Sequence, residues 1–174
     1  LSLNGRVNWH IKDDPIENEA INEFIGRNYM NDGCGNWFFQ NGPQRVYVSL
    51  EIAPWIYRLD EFQRLATHTG AHPRELRQAF ADENGRLYFE TELGPGVLDD
   101  RDTLAFLERI VDEGGQVLDD GAMAEWDAGQ ISAELKTEGL HVNHDNHVPI
   151  ERIKSARVPE VLGFMRKPQS SKRS

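Results

Sequence analysis

The chain is 174 residues long, carries 19 Lys and Arg against 29 Asp and Glu for a formal net charge of −10, and is 39% apolar. That length suits one domain with a core of its own, and the acidic balance argues against a protein that grips nucleic-acid phosphates through a basic face. No run approaches the roughly 18 apolar residues of a membrane span, and the opening Leu1-Ser2-Leu3-Asn4-Gly5-Arg6 lacks the charged and apolar blocks of a secretory leader.

Cys34 has no second cysteine to pair with, so the fold cannot depend on an internal disulfide and the expected compartment is the reducing cytoplasm. Residues 1–165 read as a single α+β domain. Residues 166–174 hold four cations in nine positions and read as a disordered basic tail.

In chain order, Arg6 to Ile11 reads as a strand. Asp14-Pro15-Ile16-Glu17 then has the residues of a helix start, an acceptor at the N-cap and Pro at the first helical position. Ile16, Ala20, Ile21, Phe24 and Ile25 follow at helical spacing, opposite Glu17, Asn18, Asn22 and Glu23, which predicts that the apolar stripe packs on a sheet. Asn-Gly, the dipeptide of two-residue hairpins, occurs at Asn4-Gly5, Asn41-Gly42 and Asn84-Gly85. Trp37 to Gln40 and Arg45 to Glu51 flank the second, and Leu76 to Ala81 and Arg86 to Leu93 flank the third. Trp55 to Leu59 and Arg64 to Thr69 read as two more strands around Asp60-Glu61, so residues 36–98 predict an antiparallel meander. Gly94-Pro95-Gly96 reads as a turn leaving the sheet. A second helix is expected from Asp99-Asp100 to Gly114-Gly115, then a helix over Ala122 to Trp126 and a strand over Ile131 to Lys136. Pro149, Pro159 and Pro168 limit the last segment to a short helix near Ile150 to Arg157. No fixed-period repeat is present. The fold class that follows is α+β, an antiparallel β-meander sheet with helices packed on one face.

Three imidazoles and a carboxylate fall within His141-Val142-Asn143-His144-Asp145-Asn146-His147. Three His with an open position can hold a divalent metal such as Zn²⁺, making His141, His144, His147 and Asp145 the candidate ligands. The competing reading is a polar loop with solvated histidines. His68 and His72 lie near a strand end, where an imidazole can serve as general base or simply satisfy backbone carbonyls. His10, beside Trp9, reads as a hydrogen-bonded core histidine. Cys34, between Gly33 and Gly35, is placed at a helix end whose dipole disfavours a thiolate. There is no nucleophile elbow, phosphate loop or dinucleotide fingerprint, and the acidic pairs Asp99/Asp100, Asp112/Glu113 and Asp119/Asp120 lack EF-hand spacing.

Alternation along the expected strands sends Tyr47, Tyr57 and Tyr88, with Arg45, Arg58 and Arg86, to one uncovered face. Tyr and Arg are the residues of binding hot spots. The reading this favours is a non-enzymatic binding or interaction module that holds a protein partner or a second copy of itself through that face, with no nucleic acid, membrane or cofactor. One alternative is a metal-dependent hydrolase built on residues 141–147. Another is a small-molecule sensor with a pocket between the first helix and the sheet.

Overall fold

A computed structural model describes residues 1–5, 9–143 and 145–169. Its strands and helices follow one another as β1 (Ser2–Leu3), β2 (Trp9–Ile11), β3 (Asp14–Pro15), α1 (Glu19–Arg27), β4 (Tyr29–Asn31), β5 (Trp37–Asn41), β6 (Gln44–Tyr47), β7 (Ser49–Leu50), β8 (Trp55–Leu59), β9 (Leu65–Thr67), β10 (Leu76–Ala81), β11 (Leu87–Thr91), β12 (Gly94–Leu98), α2 (Thr103–Leu107), β13 (Ile110–Val111), α3 (Asp120–Asp127), β14 (Ala133–Lys136), β15 (His147–Arg152) and α4 (Val158–Val161). Short 3₁₀ turns, Asp100–Asp102 and Ser155–Arg157, lead into α2 and α4. The first part of the strand expected over Arg6 to Ile11, and residues 170–174 of the basic tail, lie outside the described residues.

The fold is mostly strand with short helices, but it is not an antiparallel meander. Eight strands form a curled mixed sheet in the order β13-β14-β15-β10-β11-β12-β8-β9, with β10/β15 and β12/β8 parallel. A four-stranded sheet, β3-β2-β1-β7, and a three-stranded one, β4-β5-β6, stand beside it. The expected strand Arg45 to Glu51 is thus divided between two sheets. Gly94-Pro95-Gly96 belongs to β12, not to an exit turn. Pro95 lies opposite Glu90 of β11, and β12 pairs with β8 only from Gly96. Pro149 likewise lies opposite Glu134 of β14, one residue before β15 joins β10 at Ile150. A proline has no N–H to give a second neighbour, so both sit where one side of the strand is still unpaired.

Hairpins are set by an aspartate more than by Asn-Gly. Asp32, Asp60, Asp82 and Asp112 each use Oδ1 to accept from the backbone N–H groups two and four residues on, at 2.8–3.1 Å. In all four the residue three positions on has positive φ: Gly35, Gln63, Gly85 and Gly115. This is a three-residue loop with a left-handed last position, its amides held by the side chain that starts it. Thr67 repeats the device with its hydroxyl, accepting from Ala71 N at 3.1 Å, with Gly70 at the left-handed position. Cys34 lies in the first of these loops and is exposed, not at a helix end.

The first helix begins later than Asp14-Pro15 predicts. Lys12 and Asp13 both take positive φ and turn the chain into β3, so Asp14 and Pro15 are extended. Asn18 caps α1 instead, accepting from Ile21 N at 3.1 Å. The expected packing of α1 is also revised. Ile25 is buried, but Ile21 and Phe24 are 47% and 39% exposed, while the polar stripe carrying Asn22 and Glu23 faces a cleft. The helix expected from Asp99 to Gly114 is shorter, because Ile110 and Val111 leave it to pair with β14. Ala122 to Trp126 is helical within α3, and β14 lies within the expected strand Ile131 to Lys136. Ile150 to Arg152, expected as helix, is strand.

The core forms where the sheets meet. Trp9 comes from the four-stranded sheet, Tyr29 and Trp37 from the three-stranded one, and Trp55 from the eight-stranded one. Tyr29 lies 4.9–5.0 Å, centroid to centroid, from each of the other three rings. Its hydroxyl donates to Pro54 O at 3.1 Å, and Trp55 Nε1 donates to Leu93 O at 2.8 Å, so the polar ends of these rings are satisfied. The chain beyond Met165 is tied to the same region. Leu50 N donates to Arg166 O at 2.7 Å and Gln169 N to Asn36 Oδ1 at 3.0 Å, so Arg166 to Gln169 are held, past the point where a disordered tail was expected to start.

Candidate functional site

The six residues expected to share an uncovered face do not. Arg45 and Tyr47 lie exposed on β6, at the edge of the three-stranded sheet, where the Arg45 guanidinium sits 4.7 Å over the Phe38 ring. Tyr57 and Arg58 are on β8, Tyr88 is on β11, and Arg86 is in the turn before it. Arg58 and Arg86 are exposed, but Tyr57 and Tyr88 are fully buried. Consecutive buried residues Trp55, Ile56 and Tyr57, and again Leu87, Tyr88 and Phe89, show why: these central strands are covered on both faces, so alternation does not bring one side to water. Tyr57 donates to Gly94 O at 2.8 Å and shares a 2.7 Å bond with Thr91 Oγ1, while Tyr88 donates to Asp82 Oδ2 at 3.0 Å. Gly96 makes room for the first of these rings, since a Cβ there would stand 2.5 Å from Tyr57 Cε2.

His141, Asp145 and His147 are exposed around the loop before β15, and His144 lies outside the described residues. Among the described residues no three His, Cys, Asp or Glu side chains gather as a metal site would require. The loop's central feature is Asn143, with φ +60. Its side chain accepts from Leu76 N at 2.9 Å and donates to Leu76 O at 2.6 Å, taking the place of a strand neighbour where β10 and β15 fork apart. His72 is engaged on the surface, 2.9 Å from Asp60 Oδ2. His10 is partly exposed on β2.

His68 is the histidine with a distinct environment. It follows β9 in the Thr67-led turn, and its backbone N–H donates to Ile56 O at 2.8 Å. Ile56 N donates in return to the ring Nδ1 at 3.2 Å. With Nδ1 used as acceptor, the neutral ring carries its proton on Nε2. Rings of Trp9 and Trp55 lie 5.3 and 5.5 Å away. Burial, and secondarily the charge of Arg58, push the imidazole down to about 3, so it is neutral at physiological pH and a poor general base. Nε2 is out of contact with solvent and has no hydrogen-bond partner in the protein.

A second orphan belongs to a residue lining the same cleft. Asn22 on α1 donates through Nδ2 to Ile16 O at 2.8 Å, which fixes the amide's orientation, and its Oδ1 is buried without a partner. The two line a cleft of about 220 Å³ between α1 and the 67–71 turn, with Trp9, Gly26 and Thr69 as walls and Glu19 and Glu23 on the helix side. Gly26 sets its width, because a Cβ there would meet Thr69 Cβ and Cγ2 at 3.0 Å. A buried donor and a buried acceptor, each unpaired, cost on the order of 1–3 kcal/mol apiece. An arrangement that carries such a cost is suited to binding a molecule that satisfies both.

The family model DUF2944, described as a protein of unknown function (DUF2946), matches residues 1–169. The chain belongs to that family. No curated protein matches it. Two solved structures are similar. One is a DUF1285 family protein from Shewanella baltica OS155, 16% identical, with a TM-score of 0.46 over 60% of this chain and 87% of that one. The other is a DUF1285 family protein from Silicibacter pomeroyi DSS-3, 14% identical, with a TM-score of 0.49 over 64% of this chain and 69% of that one. No helix among the described residues is long and apolar enough to cross a membrane.

From the sequence, His68 reads either as a general base or as a histidine satisfying backbone carbonyls, and Asn22 falls on the side of its helix opposite the apolar stripe. The available signal was Gly26 together with Asn22, one helical turn apart, a small and a polar residue on one stripe that would suit a close, polar contact.

Proposed function

We propose that this DUF2944 protein is a non-enzymatic binding module for a small polar molecule, held in the cleft between α1 and the turn after β9. The reading rests on one observation: the side chains of His68 and Asn22, each with a buried polar atom that no protein group partners, line the same cleft. It favours a small-molecule pocket beside the first helix over a Tyr/Arg sheet face, whose two central tyrosines are inside the protein. Among the described residues no Ser, Cys or Lys lines the cleft, and binding rather than turnover is proposed.

A thermal-shift screen of small amides, amines, carboxylic acids and sugars tests this, run in parallel on the native chain and on His68→Asn. Asn can still present an acceptor to Ile56 N–H but has nothing at the Nε2 position. A compound at a hundred times its Kd stabilises by about 2.7 kcal/mol, roughly 5–10 °C in a chain of this size. Binders that act on the native chain and lose most of that shift in His68→Asn are expected. A screen in which every binder acts equally on both proteins places the site elsewhere and overturns the reading.

A further inference from the structure

The cleft's chemistry narrows what it takes, if the binding reading above holds. Its two buried groups are of opposite kind. His68 Nε2–H needs an acceptor, and Asn22 Oδ1 needs a donor. A lone carboxylate supplies only acceptors, and a lone ammonium or guanidinium only donors. An amide offers both, a carbonyl oxygen and an N–H, in one planar group. The charge at the wall is equally one-sided. Glu19 and Glu23 stand one helical turn apart on the stripe of α1 that lines the cleft, and among the described residues no cation lines it. Arg58 acts on the His68 ring from β8 without lining the cleft. Carboxylates so placed favour a positive ligand group and oppose a negative one.

We infer that the ligand class is a small cationic amide: its carbonyl accepts from His68, its N–H donates to Asn22, and an ammonium group beside the amide faces Glu19 and Glu23. At about 220 Å³ the space suits a molecule of only a few heavy atoms, well below a drug-sized site.

The probes are glycinamide, which has both features, acetamide, which has the amide alone, and glycine, which replaces the amide with a carboxylate. Each is titrated into ¹⁵N-labelled full chain while the Asn22 side-chain amide and the His68 Nε2–H resonances are followed. Glycinamide is expected to bind roughly tenfold more tightly than acetamide, the size of preference two partly exposed ion pairs provide. The double variant Glu19→Gln, Glu23→Gln should bring glycinamide down to the level of acetamide and leave acetamide unchanged. His68→Asn should weaken both. Equal affinity for acetamide and glycinamide, or glycine binding as well as glycinamide, overturns the cationic-amide class while leaving the cleft a binding site. If none of the three moves either resonance, the class is likewise overturned, and the screen of chemically unrelated compounds then decides whether the cleft binds anything at all.

Discussion

At the scale of single residues, the least expected feature is how much is asked of side chains that cap, and how little of those that titrate. Asp82 is buried, yet Oδ1 holds two backbone amides and Oδ2 a tyrosine hydroxyl, so its charge is fully engaged. Asp99 is matched to Arg101 through both oxygens, at 2.9 and 2.6 Å, and that pairing holds its carboxyl below the usual range. His68 is the exception, a half-buried residue with its Nε2 out of contact with solvent, whose folded value is about 3 against 6.5 for the free group. Between those two values the unfolded chain takes up a proton that the folded chain refuses. The contribution is therefore intact above pH 6.5 and is lost as the pH falls toward 3, by up to about 1.4 kcal/mol per pH unit. Carboxylates held low, such as Asp99, titrate beneath most of that window. The denaturant midpoint of the native chain should fall between pH 6.5 and 4.5 while that of His68→Asn stays nearly level; parallel slopes would show that the ring is solvated. His68 was legible in the sequence as a residue of interest, but its neutrality was not, because the groups that desolvate it arrive from residues 9, 29 and 55.

At the scale of elements, pattern located strands far better than it located faces. Trp55–Leu59 and Leu76–Ala81 lie where alternation and β-branched or aromatic residues put them. The hairpins expected at Asn41-Gly42 and Asn84-Gly85 are both present, but at the second it is Asp82, two residues before the dipeptide, that organises the loop. Four loops of the form Asp-x-x-x-x, with a left-handed fourth residue, share this device, and three of them have Gly at that position. Gln63 is the one that does not, at φ +61. A side chain in that region is strained by about 1–2 kcal/mol, partly offset by the entropy a glycine loses on folding. Gln63→Gly should therefore stabilise the chain by about 0.5–1 kcal/mol, read as a higher urea midpoint with unchanged m-value. An unchanged or lower midpoint would mean that the Gln63 side chain contributes contacts of its own. For α1 the periodicity was correct and the inference from it was not. An apolar stripe says which residues share a side, but Ile21 and Phe24 line an open groove with Ile11, Phe39 and Val46 while the polar stripe meets the 67–71 turn.

At the scale of the whole molecule, the decisive fact is that the chain's last strands complete the middle of its largest sheet. β15 lies between β14 and β10, and its partner β10 precedes it by some seventy positions in the chain. A chain ended after Leu140 would keep β8 to β12 but leave the β10 edge unpaired along Ala79–Ala81, and a bare, apolar edge invites association. Such a truncation should lose cooperative unfolding and aggregate, observable by loss of the thermal transition and by light scattering; a monomer that still melts cooperatively would show that the final 34 residues are an accessory to the fold. What the sequence determined by itself is local: a mostly strand chain with short helices, punctuated by Asp, Gly and Pro, with Trp and Tyr concentrated in the strands. Those features depend on interactions within a few residues and on side-chain alternation. Which strands pair, whether a face is wet, and which polar atoms are left without partners were decided only by the tertiary structure, because each depends on groups distant in the chain. The cleft belongs to that second kind: residues 22 and 68 line it together, beside a Gly26 that lets the helix approach the turn.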